Sequence, residues 1–155
     1  MNSASATLTQ CLEQELRLTG QLLATLGQEE AALLDRDLAS LQSSSQRKGE
    51  LVTQFFEVRQ RRLACLAQQG LPADDRSMAL WLQQQGETSA QAAWERLLSQ
   101  LTVAKELNRT NGLLIHQLAS RNQSALQALQ SRNSVNLYGP RGASSTHSTF
   151  NTVVG

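Results

Sequence analysis

Aromatic side chains are scarce in this 155-residue chain: only Phe55, Phe56, Phe150, Trp81, Trp94 and Tyr138. Apolar β-branched residues are about as scarce, with one isoleucine and six valines. Strands draw on both classes, so a β-sandwich is a poor fit. Proline occurs only at Pro72 and Pro140, which leaves long stretches free to run as helix. An excess of one charge is also missing. Fourteen basic residues face thirteen acidic ones, for a formal net charge of +1, so nothing in the overall charge points to nucleic acid. No apolar run approaches the roughly 18 residues of a membrane span. The start, MNSASATLTQCLEQE, has neither the basic nor the apolar region of a secretory signal. Cys11 and Cys65 form no disulfide framework and sit in no metal-ligand spacing. A soluble cytosolic protein without stable membrane insertion is expected.

What is abundant is leucine, 27 residues, and glutamine, 19 residues. Both favour helix. The expected fold is all-α: an elongated antiparallel bundle of three main helices, a short connecting helix and a C-terminal tail. Leu8, Leu12, Leu16, Leu22 or Leu23, Leu26, Leu33 and Leu34 recur mostly at spacings of three and four and mark a first helix over about 7–34, capped by Thr7 or Thr9. Asp37 is a plausible N-cap for a second, about 37–68, with the stripe Leu38, Leu41, Leu51 or Val52, Phe55, Val58, Leu63 and Leu66. A tight turn near residue 36 lets the two stripes cover each other. One unbroken helix to residue 68, or a break at Ser43-Ser44-Ser45, are the alternatives.

Gln69-Gly70-Leu71-Pro72 is a helix stop. A short helix, about 74–84, follows from Asp74 or Asp75, holds Met78, Leu80, Trp81 and Leu82, and ends at Gly86; its expected role is a lid placing Trp81 on the end of the bundle. Thr88-Ser89-Ala90-Gln91 fits a capping box for a long helix over about 89–133. Its 45 residues span roughly 70 Å, more than the roughly 40–50 Å of either earlier helix. Its last turns should therefore overhang. Residues 1–133 read as one helical domain, and 134–155 as a flexible tail rich in Ser, Thr, Asn, Gly and Pro.

Catalytic constellations are hard to find. His116 and His147 lie outside any metal or nucleophile motif, and no phosphate-binding or calcium loop occurs. No catalytic residue, metal or cofactor is expected. Glu29-Glu30 and Asp74-Asp75 read as solvated acids or caps. Arg59-Gln60-Arg61-Arg62, with Arg47-Lys48, reads as helix pairing; a small nucleic-acid-binding regulator is a third functional reading. A turn at residue 36 sets Cys11 opposite residue 61, with Cys65 about one turn away, so the thiols read as buried hydrophobes that are near neighbours. Asn108, Asn111 and Asn122 fall on or beside the long helix's apolar stripe, where a buried Asn would fix register. Leu113, Leu114, Ile115, Leu118, Leu126 and Leu129 exceed what one seam needs and offer a surface for a partner helix. All thirteen acids lie at or before Glu106, so residues 107–155 carry Arg109, Arg121, Arg132 and Arg141 alone and favour a neutral or acidic partner.

The stretch Lys105-Glu106-Leu107-Asn108-Arg109-Thr110-Asn111-Gly112-Leu113-Leu114-Ile115, followed by Leu137-Tyr138-Gly139-Pro140-Arg141-Gly142, resembles the FlgN family of flagellar export chaperones. The resemblance implies a cytoplasmic, non-enzymatic helical chaperone that binds C-terminal helical segments of hook-associated junction proteins, prevents their premature assembly and delivers them to the flagellar type III export gate. It places client contacts on Leu113–Leu129, gate docking at Tyr138, and the family motif at Asn108, Asn111, Gly112 and Gly139. The Ser/Thr-rich extension from Ala143 to Gly155 departs from the family pattern. A self-associating coiled-coil or bundle protein without a client is the alternative, and a weak homodimer is compatible with either.

Overall fold

The computed structural model describes residues 3–85 and 87–137. The fold is all-α, with helices α1 (Ser3–Asp35), α2 (Leu38–Gln68), α3 (Asp75–Gln85) and α4 (Thr88–Leu137) and no strand among the described residues. The chain divides into two compact units, one ending at Leu113 and one starting at Leu114.

In the first unit, α1 and α2 form the expected hairpin, and the turn falls where the sequence places it. Arg36 adopts a left-handed backbone, φ 55°, directly after α1. Its N–H donates to Leu33 O at 3.4 Å and that of Asp37 to Ala32 O at 3.0 Å, closing the last carbonyls of α1 in a Schellman arrangement. Asp37 then caps α2: its carboxylate accepts from the Ser40 N–H at 3.1 Å and the Ser40 hydroxyl at 2.6 Å. One residue thus finishes one helix and starts the next. The far end of α2 closes in the same way. Gly70 takes φ 77° and donates to Ala67 O at 3.0 Å, while Leu71 donates to Leu66 O at 3.1 Å and lays its side chain against the core. Asp74 caps α3 through the Ser77 N–H at 2.9 Å.

Several boundaries shift. α1 starts at Ser3, so Thr7 is not a cap; its hydroxyl donates back to Ser3 O at 3.0 Å, and Thr9 does the same to Ser5 O. In the proposed capping box, Thr88 is already helical and the Gln91 amide reaches forward to Glu95 Oε1 instead of back. α4 runs four residues past the expected end because Ser134 and the residues after it contain no glycine or proline before Gly139. Gly86 lies outside the described residues. Leu34 and Leu38 are 66% and 79% exposed, since they flank the turn at the hairpin's tip, beyond the end of the seam.

The main core joins Leu8 and Leu12 of α1, Leu63 and Leu66 of α2, Met78 and Trp81 of α3, and Trp94 and Leu97 of α4. Trp81 is buried here, so α3 seals one end of the core as expected. A smaller cluster of Cys11, Leu18, Leu51 and Val58 continues the α1–α2 seam. In the same unit α4 buries Ala90, Trp94, Leu97 and Ala104. The second unit contributes the helical residues 114–137.

Candidate functional site: polar locks, a groove and an uncovered stripe

Two polar clusters fix how α4 meets the hairpin within the first unit. Glu29 is fully buried, against the expectation of a solvated acid. Its carboxylate accepts from Lys48 Nζ at 3.0 Å, Ser45 Oγ at 2.9 Å and Asn111 Nδ2 at 3.0 Å. Burial alone would push its carboxyl up; the hydrogen bonds from Lys48, Asn111 and Ser45 outweigh it and hold the carboxyl below its ordinary range. Asn111, also fully buried, donates in addition to Leu26 O at 3.0 Å. It is therefore the register residue among the three asparagines. Asn108 is exposed and accepts from Lys48 at 3.2 Å, and Asn122 is exposed. Gly112 is exposed as well, and a Cβ there would meet nothing within 4 Å.

The second cluster centres on Arg62, only 2% exposed. Its Nε donates to Glu15 Oε2 and its Nη2 to Asp75 Oδ1, both at 2.8 Å, and its guanidinium lies 4.9 Å from the Trp94 ring centroid. Arg59 adds a 2.8 Å bond to Asp75. Burial pushes Glu15 up by more than Arg62 draws it down, while Asp75, less buried, is held low by Arg59 and Arg62 against its own desolvation. The basic cluster is thus spent on helix pairing, as the sequence suggests. Arg61 reaches Gln14 at 3.2 Å, three residues further along α1 than a turn at 36 places it. Cys11 and Cys65 are both buried and free. Cys65 Sγ donates to Ala4 O at 3.4 Å, burial raises both thiols, and Cys65 adds to the rise at Cys11.

Between α2 and α4 lies a groove of about 860 Å³, lined by Val52, Phe55 and Leu101 among others. Sequence periodicity gave no sign of it, because it depends on how far α4 stands from α2.

In the second unit every residue from Ala119 to Val135 is exposed. Leu126 is 60% and Leu129 57% exposed, Ile115 is 43% exposed, and Leu114 and Leu118 are half-buried. At 3.6 residues per turn, Ile115, Leu118, Asn122, Leu126 and Leu129 fall within about 80° of one another, one stripe along the helix. Leu114 flanks that stripe. Leu113, 51% exposed, points about 140° away from it. His116 is exposed, and no cluster of metal-ligating side chains occurs among the described residues. Tyr138 and Gly139, expected to serve gate docking and the family motif, lie outside the described residues.

A helical scaffold carrying a bare leucine stripe defines the class: an all-α protein that presents a helix face. The chain belongs to the FlgN family, whose description, FlgN protein, matches residues 1–146. That family comprises the flagellar export chaperones for hook-associated proteins, which are not enzymes. No curated protein and no solved structure matches the chain. No described helix is long and apolar enough to cross a membrane.

Proposed function

We propose that this chain is a cytosolic export chaperone that lays C-terminal helical segments of hook-associated proteins along the Ile115–Leu118–Leu126–Leu129 stripe, with Leu114 at its edge and Leu113 reaching only a client that wraps the helix. The carrying observation is the uncovered stripe itself: Leu126 and Leu129 remain 60% and 57% exposed. Each square ångström of apolar surface that a client removes from water contributes about 25 cal/mol. Ordering the client segment consumes much of that gain, which keeps the complex reversible, as a hand-over requires. Arg121 and Arg132 beside the stripe, with no acid after Glu106, favour a client helix with acidic flanks. Covering such segments blocks their premature assembly. Tyr138 is the residue proposed to dock the loaded chaperone on the export gate.

Calorimetry with purified C-terminal segments of hook-associated proteins tests this. Replacing Leu126 and Leu129 with Asp should weaken binding about 100-fold, since two half-exposed leucines contribute about 3 kcal/mol together and 1.4 kcal/mol is tenfold. Binding of no segment by the unaltered chain sinks the proposal. Tyr138→Ala should leave client affinity intact and stop export. The same stripe can pair two copies weakly; a tight dimer in sedimentation that buries it, with no client, would favour the self-associating alternative.

A further inference from the structure

We propose that the groove between α2 and α4 in the first unit is a second docking station, which takes an amphipathic helix with an acidic flank. This rests on the reading of the chain as a chaperone of helical segments. The groove's walls carry large apolar side chains that nothing covers: Phe56 of α2 is 52% exposed and Leu98 of α4 45% exposed. Between Ser45 and Arg62 the α2 wall is about 25 Å long, the length of four to five helical turns.

Its charge selects the occupant. Four cations line it, Lys48, Arg59, Arg62 and Lys105, against one carboxylate, Asp75. Two further carboxylates lie beneath: Glu15 answers Arg62 and Glu29 answers Lys48. Among the described residues Lys105 has no ion-pair partner, so one positive charge is left at the rim. Arg62, paired with Glu15 and Asp75, keeps its Nη1 buried without a hydrogen-bond partner among the described residues. A helix that offers leucines to Phe56 and Leu98 and a carboxylate to Lys105 meets both features. A neutral or basic helix meets only the first.

Calorimetry on the full chain, with the same C-terminal segments of hook-associated proteins, tests the groove. Phe56→Ser with Leu98→Ser should weaken binding at least about tenfold, by loss of two apolar contacts. Lys105→Glu should weaken it severalfold at about 0.05 M salt, and the effect should fade at about 0.5 M, where screening is short-ranged. Both variants alter exposed side chains, and unchanged urea midpoints would show that folding is intact. Unchanged affinity in the groove variants, with binding lost in the Leu126/Leu129 variant, overturns the groove assignment and leaves the proposed function standing. No binding by the unaltered chain overturns both. A photo-crosslinker at position 98 should capture the client segment; capture of a second copy, or of residues 138–155 of the same chain, overturns the assignment to a partner.

Discussion

Asn111 Nδ2 and Glu29 Oε1 lie 3.0 Å apart, and neither side chain touches solvent. The amide ties α4 to both a backbone carbonyl and a carboxylate of α1. Asn111→Ala should cost about 1–3 kcal/mol, because Glu29 and Leu26 O each lose a buried donor. Asn111→Asp should cost more at pH 7, by setting two carboxylates together, and recover part of the loss toward pH 5 as one takes a proton. Urea denaturation at the two pH values distinguishes the variants.

Arg62→Leu should be among the most damaging substitutions in the first unit. It strands Glu15, fully buried, without its cation, a change expected to cost about 3–5 kcal/mol. Arg62→Lys should rescue little, since a point charge cannot bond Glu15 and Asp75 together while lying over Trp94. Arg47→Ala, which breaks an exposed pair with Glu50, should change the urea midpoint by less than about 0.5 kcal/mol equivalent.

Acid stability follows from opposed carboxyls. Glu29 and Asp75 have lowered folded values, so their stabilisation is complete above the ordinary carboxylate range, about pH 4–4.5, and is lost as pH falls through the depressed values. Glu15 has a raised value, so its contribution improves as pH falls through that value and is lost as pH rises. Urea midpoints should therefore hold or rise slightly from neutral to mildly acid pH and then drop steeply. Glu29→Gln should be less stable at pH 7 and lose less on acidification.

Both thiols should resist a disulfide-exchange reagent in the folded chain, because burial covers them and disfavours the thiolate. They should react together when the chain is unfolded in urea. A fast-reacting thiol in native buffer would contradict their burial.

Leu126→Asp and Leu129→Asp should leave stability within about 0.5 kcal/mol of the unaltered chain, as exposed positions do. The measured loss should appear in client binding alone. A large fall in the thermal midpoint would mean that these leucines support the fold.

The hairpin was legible because its punctuation is local. Asp37 marks a cap, and Gly70-Leu71-Pro72 marks a stop, within a few residues of the helix ends they control. That Arg36 would supply the left-handed residue was not legible, since arginine carries no such preference. The burial of Glu29 was hidden for another reason. Its partners Lys48 and Asn111 come from two other helices, and an adjacent Glu29-Glu30 pair looks like any wet helix face. The stripe from Ile115 to Leu129 was visible as spacing, because residues three and four apart share one side of a helix. The groove depends on a distance between helices, which no periodicity encodes.

The two-residue link at Arg36-Asp37 also has a kinetic consequence. Every α1–α2 pairing closes back over that short reversal, so the hairpin's contacts begin with neighbours in sequence and zip outward, the topology that folds fastest. Translation delivers both arms before any of α4 exists. The nascent protein is therefore expected to emerge as a preassembled two-helix clasp whose oily side waits for α3 and α4, and a ribosome-stalled fragment ending near residue 72 should already be helical.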